Sequence, residues 1–194
     1  MWSRTLLIRP DGTRDETTSV TWLQGRTMFA DLRQPAGERD PATQEGFAGV
    51  LVDDGECVMW QRRVDCRPPS PHPDVGRLWF EGDTLVERGR DIPYVEHWRR
   101  EIEVPAVECW GAMLRDAEGR AALVVQAGSA FMFARAGTPT EVSLGRVGPD
   151  GWIIDRSTLP MREGVVERPA KSGDRLIFGG IWVVTELEGD PLMA

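Results

Sequence analysis

Short turn-forming sequences interrupt the whole chain. They recur in "RPDG" (9–12), "VDDG" (52–55), "FEGD" (80–83), "DAEG" (116–119) and "GPDG" (148–151). Asp-Gly and Pro-Asp-Gly pairs between apolar residues favour tight turns that join antiparallel strands. The 194 residues include 21 glycines and 14 prolines, and no long segment combines helical spacing with caps. The sequence therefore predicts an all-β protein of many short strands, which means a sandwich or barrels.

Candidate strands fill the intervals between these turns. They cover residues 5–9, 19–24, 27–33, 46–52, 56–64, 77–80, 84–87, 94–104, 106–114, 121–126, 130–135, 141–147, 152–155, 175–178 and 181–187. The segment "YVEHWRREIEV" at 94–104 also fits a short helix, with Val95, Trp98 and Ile102 on one side. Because the surrounding pattern is β, we expect a strand there.

The second half of the chain repeats features of the first half. "WLQGRTMFADLR" (22–33) aligns without a gap with "VVQAGSAFMFAR" (124–135), and "GRLWFEGD" (76–83) aligns with "DRLIFGGI" (174–181). Between these two matches, Asp54-Gly55 corresponds to Asp150-Gly151. Three matches in the same order predict two similar β-units.

Two units in a chain of this length fit two small antiparallel barrels in tandem. Barrel closure removes the exposed edge strands of an open sheet. We place the first barrel at residues 1–104 and the second at 105–194. A barrel of about eight strands has an interior that side chains can fill or that can hold one small ligand.

The order of sequence markers in the first half resembles that of a known family. The chain carries, in order between residues 18 and 101, "TWLQ", "FADLRQP", "GFAG", "CVMWQRRVD", "PDVGRLWFEGDTLVERG" and "YVEHWRRE". This order is similar to that of fungal kinase-interacting proteins built from two lipocalin-like (calycin-like) barrels, with bacterial relatives of unknown function. The resemblance implies a pair of calycin-like barrels. It implies no activity, because a fold does not fix a function.

The first hairpin carries aromatic and charged residues on one face. With Gly25-Arg26 as a two-residue turn, Trp22 is expected to face Phe29 and Val20 to face Asp31. One face then holds Val20, Trp22, Gln24, Thr27, Phe29, Asp31 and Arg33. The other face holds Thr21, Leu23, Met28, Ala30 and Leu32. In the repeated hairpin Phe133 takes the place of Asp31, so Asp31 distinguishes the first unit from the second.

Similar mixtures of residues occur on later strands of the first half. Trp60 and Arg62 share one face of strand 56–64, while Gln61, Arg63 and Asp65 are expected on the other. The candidate ligand-binding residues are therefore Trp22, Phe29, Asp31, Arg33, Trp60, Arg62, Glu87, Tyr94, Glu96 and Trp98. Trp79 is a further candidate for an apolar wall. Either arginine could hold a ligand carboxylate by two parallel hydrogen bonds. These residues could equally form structural ion pairs or solvated outer faces.

The sequence carries no recognised motif for a metal site, a nucleophilic active site or a phosphate-binding loop. Histidines occur at His72 and His97, and neither lies in a metal-binding motif, so we expect no metal and no cofactor; haem ligation by His97 stays open. Neither a GxSxG nucleophile elbow nor a P-loop occurs. The three cysteines, Cys57, Cys66 and Cys109, lie in apolar strand-like settings where a thiol is usually inert.

Charge and hydropathy narrow the expected partners and location. A net charge of −8 and scattered arginines predict no nucleic-acid binding. No apolar run has the length of a membrane span or a signal peptide, and the odd cysteine count argues against a disulfide framework. We therefore expect a soluble cytoplasmic protein that has no membrane partner.

Three functions remain open. The first is binding of a small hydrophobic or amphipathic ligand in the first barrel. The second is a protein–protein interaction module with filled barrels, which would use an outer face or the loop "RQPAGERDPATQ" at 33–44. The third is an enzyme with Glu87, Glu96 or Asp31 as general acid or base.

Overall fold

The computed structural model describes residues 1–37 and 43–191. Regular structure in these residues is almost entirely antiparallel β-strand, which confirms the expected fold class. Two short 3-10 turns, Ala106–Glu108 and Pro160–Arg162, are the helical elements of the described residues. No described helix has the length and apolar character needed to cross a bilayer.

The first nine strands form a closed antiparallel barrel. Closure follows from strand β1, which pairs with β3 on one side and with β9 on the other. The strands are β1 (Trp2–Ile8), β2 (Arg14–Asp15), β3 (Ser19–Gln24), β4 (Met28–Gln34), β5 (Glu45–Asp53), β6 (Val58–Asp65), β7 (Val75–Glu81), β8 (Thr84–Gly89) and β9 (Val95–Arg100).

The remaining nine strands form a second antiparallel sheet in the order β15-β14-β13-β12-β11-β10-β18-β17-β16. They are β10 (Cys109–Arg115), β11 (Ala121–Ala127), β12 (Ala130–Arg135), β13 (Glu141–Gly148), β14 (Gly151–Ser157), β15 (Val166–Glu167), β16 (Ala170–Ser172), β17 (Arg175–Ile177) and β18 (Ile181–Glu188). Within the described part of the chain β15 and β16 do not pair, so this second barrel is not closed by hydrogen bonds at that point.

The ambiguous segment at 94–104 contains a strand rather than a helix. Strand β9 ends at Arg100, and the next regular element is the 3-10 turn at Ala106–Glu108. The predicted strands at 94–104 and 106–114 were therefore too long at the ends that face each other. The two sheets separate between Arg100 and Cys109, while the domain division at 104/105 stays a prediction.

Equivalent hairpins of the two barrels have the same strand register. Gln24 lies opposite Phe29 in the β3–β4 pair, and Gln126 lies opposite Phe131 in the β11–β12 pair. These four positions match the ungapped alignment of 22–33 with 124–135. The hairpin repeat seen in the sequence is therefore also a repeat of backbone geometry.

A second repeated feature is a β-bulge next to a glycine. The β5–β6 pairing shifts between Ala48 and Gly49, and the β13–β14 pairing shifts between Leu144 and Gly145. A Cβ at Gly49 would lie 1.9 Å from a backbone oxygen of β6, and one at Gly145 would lie 2.1 Å from a backbone oxygen of β14. Since these approaches exclude any side chain, both bulges require glycine.

The predicted register of the first hairpin was wrong by two residues on one strand. Trp22 lies opposite Asp31, not Phe29, and Val20 lies opposite Arg33, not Asp31. A shift of two residues keeps every side chain on its own face because strand side chains alternate with period two. The predicted composition of each face therefore holds within the strands although the pairing does not, while Thr27, expected on the interior face, lies in the turn and contacts Glu188.

The turn of this hairpin lies one residue later than predicted. Arg26 and Thr27 form the two-residue loop, and the Gly25 N–H donates to the Met28 carbonyl oxygen at 2.8 Å. A Cβ at Gly25 would lie 2.8 Å from the Val125 side chain of the second barrel. Glycine is thus needed at this position for close packing of the barrels rather than as the first turn residue.

The core between the barrels is formed by the apolar outer faces of the two equivalent hairpins and adjoining strands. Leu23 and Leu32 of the first barrel and Leu123 and Met132 of the second are fully buried there. The hairpin strands are therefore largely buried on both faces, one toward the partner barrel and one toward their own interior.

Strand β18 of the second barrel also holds the first hairpin turn. The Glu188 carboxylate accepts hydrogen bonds from the backbone N–H groups of Arg26, Thr27 and Met28 at 3.0, 2.7 and 3.0 Å. It also accepts one from the Thr27 hydroxyl at 2.7 Å. A single carboxylate thus satisfies three turn donors from across the interface.

Candidate functional site

A cavity of about 250 Å³ occupies the interior of the first barrel. Its wall includes all the residues that the sequence predicted as ligand-binding: Trp22, Phe29, Asp31, Arg33, Trp60, Arg62, Glu87, Tyr94, Glu96 and Trp98. The strands bring them together because each contributes alternate residues to the barrel interior. Their role in binding stays a prediction.

Aromatic rings form a large part of this wall. The centroid of the Trp22 ring lies 6.2 Å from that of Trp60 and 5.6 Å from that of Trp98, both in edge-to-face orientation. Phe29 and Phe47 make a similar contact at 6.0 Å. Edge-to-face pairs at these distances stabilise a packed wall.

Asp31 and Arg33 form an ion pair on one side of the cavity. The Arg33 Nε donates to Asp31 Oδ1 at 2.8 Å, and the Asp31 side chain is 4 % exposed. Burial raises the pKa of Asp31, and the charge of Arg33 opposes that effect. Arg33 Nη1 also lies 3.8 Å from Glu96 Oε1, so one guanidinium group serves two carboxylates.

Glu96 lies directly opposite Glu87 in the β8–β9 pair. Two like charges in this relation repel each other unless a cation is close. Glu96 has such a cation: the buried Arg4 side chain donates from Nη1 to Glu96 Oε1 at 2.7 Å. Arg4 also contacts Asp15 at 3.2 Å, which holds the guanidinium group behind the cavity wall.

Glu87 has neutral partners instead. Its Oε1 accepts a hydrogen bond from the Tyr94 hydroxyl at 2.6 Å, and its Oε2 accepts one from Trp98 Nε1 at 3.1 Å. Burial raises the pKa of Glu87 well above its usual range, and the facing Glu96 carboxylate raises it further. Burial and the facing Glu96 carboxylate therefore both favour the protonated form of Glu87, while the charge of Arg33 opposes them.

Arg62 is fixed at the edge of the cavity by two carboxylates. Its Nη2 lies 2.6 Å from Asp74 Oδ2, its Nη1 lies 3.0 Å from Asp65 Oδ2, and its guanidinium carbon lies 3.5 Å from the centroid of the Phe47 ring. Asp65 was expected on the opposite face from Arg62. The bulge at Gly49 inserts one residue between them and thereby brings Asp65 to the same side.

Several residues of the site were not predicted from the sequence. Phe47 and Asp74 line the cavity, and Arg4 reaches Glu96 from the first strand. The position of Phe47 in the "GFAG" strand opposite Asp31 could have revealed it. Arg4 had no local signal because only barrel closure brings β1 next to β9.

Other candidate residues lie outside the site. Trp79 does not line the cavity, and its Nε1 donates to the exposed Glu81 at 2.8 Å, so its assignment to the wall was wrong. His97 does not line the cavity and alternates with the buried Glu96 and Trp98. Burial raises the pKa of the Cys66 thiol to about 11, which disfavours the reactive thiolate.

No group of three or more His, Cys, Asp or Glu residues suited to a metal ion occurs in the described ranges.

A second hollow of about 630 Å³ shares five wall residues with the cavity: Trp60, Arg62, Asp74, Ile92 and Tyr94. The proline-rich segment 67–73 contributes to its wall. This hollow therefore adjoins the cavity on the side of Arg62 and Tyr94.

The comparisons with known proteins give a fold and no activity. No protein-family model matches the chain, and no curated protein matches it. A crystal structure of the uncharacterised protein YLR301w from Saccharomyces cerevisiae matches with a TM-score of 0.64 at 15 % identity, over 97 % of this chain and 98 % of that one. This fungal match supports the pair of barrels, while the resemblance to kinase-interacting proteins stays a prediction.

Proposed function

We propose that the protein binds a small molecule inside its first barrel. The supporting observation is the cavity of about 250 Å³, whose wall combines aromatic rings with buried charged groups. Ligand pockets typically have a mostly apolar wall and a few placed polar groups, with volumes of about 300–1,000 Å³. A volume at or below this range favours a small ligand.

The interior of the second barrel supports this proposal by contrast. Five rings pack together there, with centroids 4.6 to 5.7 Å apart in successive contacts: Phe131, Phe133, Phe178, Trp152 and Trp182. A chain that can fill one barrel with rings could fill the other. Charged side chains in place of rings in the first barrel favour a functional reason for the cavity.

A fragment titration tests the proposal. A mixture of small aromatic fragments is added to the full chain and the indole N–H signals are followed by NMR. We expect Ile92→Trp, at a 42 % exposed position at the cavity entrance, to reduce binding by obstructing entry. Ile181→Trp, at a 63 % exposed position on the second barrel, is the matched control. Equal binding by both variants would contradict entry at this site.

Protein–protein contact is the second candidate function. An exposed apolar pair favours it, because Ile177 and Ile181 lie opposite each other on the outer face of β17 and β18. The module with two filled barrels is wrong for the first barrel, which has a cavity. The candidate loop at 33–44 has its central residues, 38–42, outside the described residues. Loss of a partner on Ile181→Glu in a pull-down would support this function, and unchanged capture would count against it.

A further inference from the structure

We propose that the ligand of the first barrel is a small protonated amine with an apolar body, and that its ammonium group binds Glu87. This inference rests on the proposed function and names the ligand's chemistry. It follows from the charges inside the barrel, from the geometry of Glu87 and from the aromatic rings beside it.

The charges of the cavity wall do not balance. Four arginines lie in or directly behind the wall: Arg4, Arg9, Arg33 and Arg62. Their ion pairs already involve five carboxyl groups. Glu87 is a sixth, and within residues 1–37 and 43–191 no basic group lies within 4 Å of it. In its ionised form Glu87 is attracted by Arg33 from beyond 4 Å, so a cationic ligand would supply the counter-charge in direct contact.

The geometry of Glu87 leaves room for such a ligand. Each carboxylate oxygen can accept two hydrogen bonds. Oε1 accepts one from Tyr94 and Oε2 accepts one from Trp98, so each oxygen retains capacity on a side chain that lines the cavity. An ammonium group has three donors and could use this remaining capacity.

Aromatic rings surround the same position. Trp98 contacts Glu87 through its indole nitrogen, and the Trp22 ring lies 5.6 Å from the Trp98 ring. A cation within about 6 Å of a tryptophan ring centroid gains further attraction. The rings also provide an apolar surface for the rest of the molecule.

An anionic ligand fits the same wall poorly. Arg62 uses Nε, Nη1 and Nη2 for Asp65 and Asp74, and Arg33 uses Nε for Asp31. A ligand carboxylate on Arg62 would have to displace Asp65 or Asp74, and one on Arg33 would lie beside Asp31 and Glu96. The expectation that Arg62 holds a ligand carboxylate is therefore disfavoured, and the same expectation for Arg33 stays a prediction.

The amine should bind more tightly as the pH rises. In the ligand-free cavity burial and Glu96 raise the pKa of Glu87, so this carboxyl must lose its proton when an ammonium group binds. Affinity then increases with pH toward the amine's own pKa, which is about 10 for an alkyl amine. A neutral ligand of the same shape should lack this increase.

Three probes of similar shape test the inference by calorimetry: phenethylamine, phenethyl alcohol and hydrocinnamate. At mildly alkaline pH we expect phenethylamine to bind about ten- to a hundredfold more tightly than the alcohol, as a charge-assisted hydrogen bond provides. Its advantage should shrink as the pH falls. Glu87→Gln should abolish the preference for the amine over the alcohol, whereas the exposed Glu186→Gln should keep it.

The outcomes separate this inference from the proposed function. If the alcohol or hydrocinnamate binds as tightly as the amine, or if the wild-type preference is independent of pH, the amine assignment is wrong while ligand binding stands. If phenethylamine fails to bind and other aromatic fragments bind, the amine assignment alone fails. If no fragment shifts the indole signals of the first barrel, both proposals fail. The pH series needs no variant, so it decides the question even if Glu87→Gln does not fold.

Discussion

The two barrels repeat one backbone design and differ in what they enclose. Because the hairpin registers coincide, Asp31 of the first barrel corresponds to Phe133 of the second. Strands β5–β6 and β13–β14 likewise relate Arg62 to Ile154. At these positions a charged residue in the hollow barrel has a buried apolar counterpart in the filled barrel. A few substitutions inside a shared frame therefore decide whether a barrel of this kind is a core or a cavity.

The arginines of the two hairpins show how one such change affects its neighbours. Arg135 lies opposite Glu141, and its Nε lies 2.7 Å from Glu141 Oε2. Arg33 lies opposite Glu45 in the same way, yet Glu45 pairs with Arg67, and Arg33 pairs with Asp31. Asp31 thus gives the shared arginine an alternative partner on the cavity wall.

The strongest way to break this comparison is to put the charge into the filled barrel. Phe133→Asp would bury a carboxylate among Phe178 and Trp182, whose indole N–H already donates to the Phe178 carbonyl oxygen. We expect a loss of about 4 kcal/mol or more in the free energy of unfolding, measured with urea. Phe133→Leu is the control and should cost less, because it removes volume without adding charge. A small loss of unfolding free energy for Phe133→Asp would mean that the interior of the second barrel tolerates a carboxylate.

A smaller effect is expected where the barrels meet. Glu188→Ala removes the acceptor of the turn donors of Arg26, Thr27 and Met28. We expect a loss of about 2 kcal/mol in the free energy of unfolding, since hydrogen bonds to a charged group contribute about 1.5–3 kcal/mol. The exposed neighbour Glu186→Ala should change it by less than about 0.5 kcal/mol. Equal effects would show that the turn contact does not hold the barrels together.

The reverse exchange sharpens the comparison further. Asp31→Phe gives the first barrel the residue of the second and places a ring in the cavity. We expect ligand binding to be lost while the free energy of unfolding falls by less than about 2 kcal/mol, because Arg33 loses one carboxylate partner but its side chain is 23 % exposed. Arg33 stays 3.8 Å from Glu96 and so is not left alone. Retained binding in a calorimetric titration would contradict a cavity role for Asp31.

The smallest predicted effect concerns pH. The folded-state pKa of Glu87 is raised above its ordinary value of about 4.5, so the folded protein holds this proton more tightly than the unfolded chain. The contribution of Glu87 to stability should therefore fall as the pH rises from about 4.5 through the folded-state pKa. Glu87→Gln lacks this proton, so its stability advantage over the wild type should grow with pH in urea unfolding. A constant difference between the two proteins would contradict the raised pKa.

Much of the fold could be predicted from the sequence because turn residues and the alternation of side chains between the two faces of a strand are local signals. The faces of the strand residues of the hairpin were correct even though the pairing was not, since a two-residue shift preserves alternation. The exact turn depended on Gly25, whose small size serves the contact with Val125, a residue far away in the chain. Local turn rules do not contain that information.

The alternation of strand side chains also predicted which residues line the candidate site, but it did not predict their charge partners. Residues with interior positions on long strands, such as Trp22, Trp60 and Trp98, could be recognised by period two. The charge partners depended on events outside one strand: closure brought Arg4 to Glu96, and the bulge at Gly49 brought Asp65 to Arg62. The difference between a hollow and a filled barrel was visible in one aligned pair, Asp31 and Phe133.

The tryptophans allow the most direct test of the central claim, because each barrel has its own set. Trp22, Trp60 and Trp98 line the cavity, whereas Trp110, Trp152 and Trp182 pack in the second core. Indole N–H signals are assigned by Trp→Phe variants and followed by NMR as a mixture of small aromatic fragments that includes phenethylamine is added to the full chain. We predict that the first set shifts with saturation and that the second does not move. Shifts confined to the second set, or no shift in the first, would contradict a ligand-binding first barrel beside a filled second one.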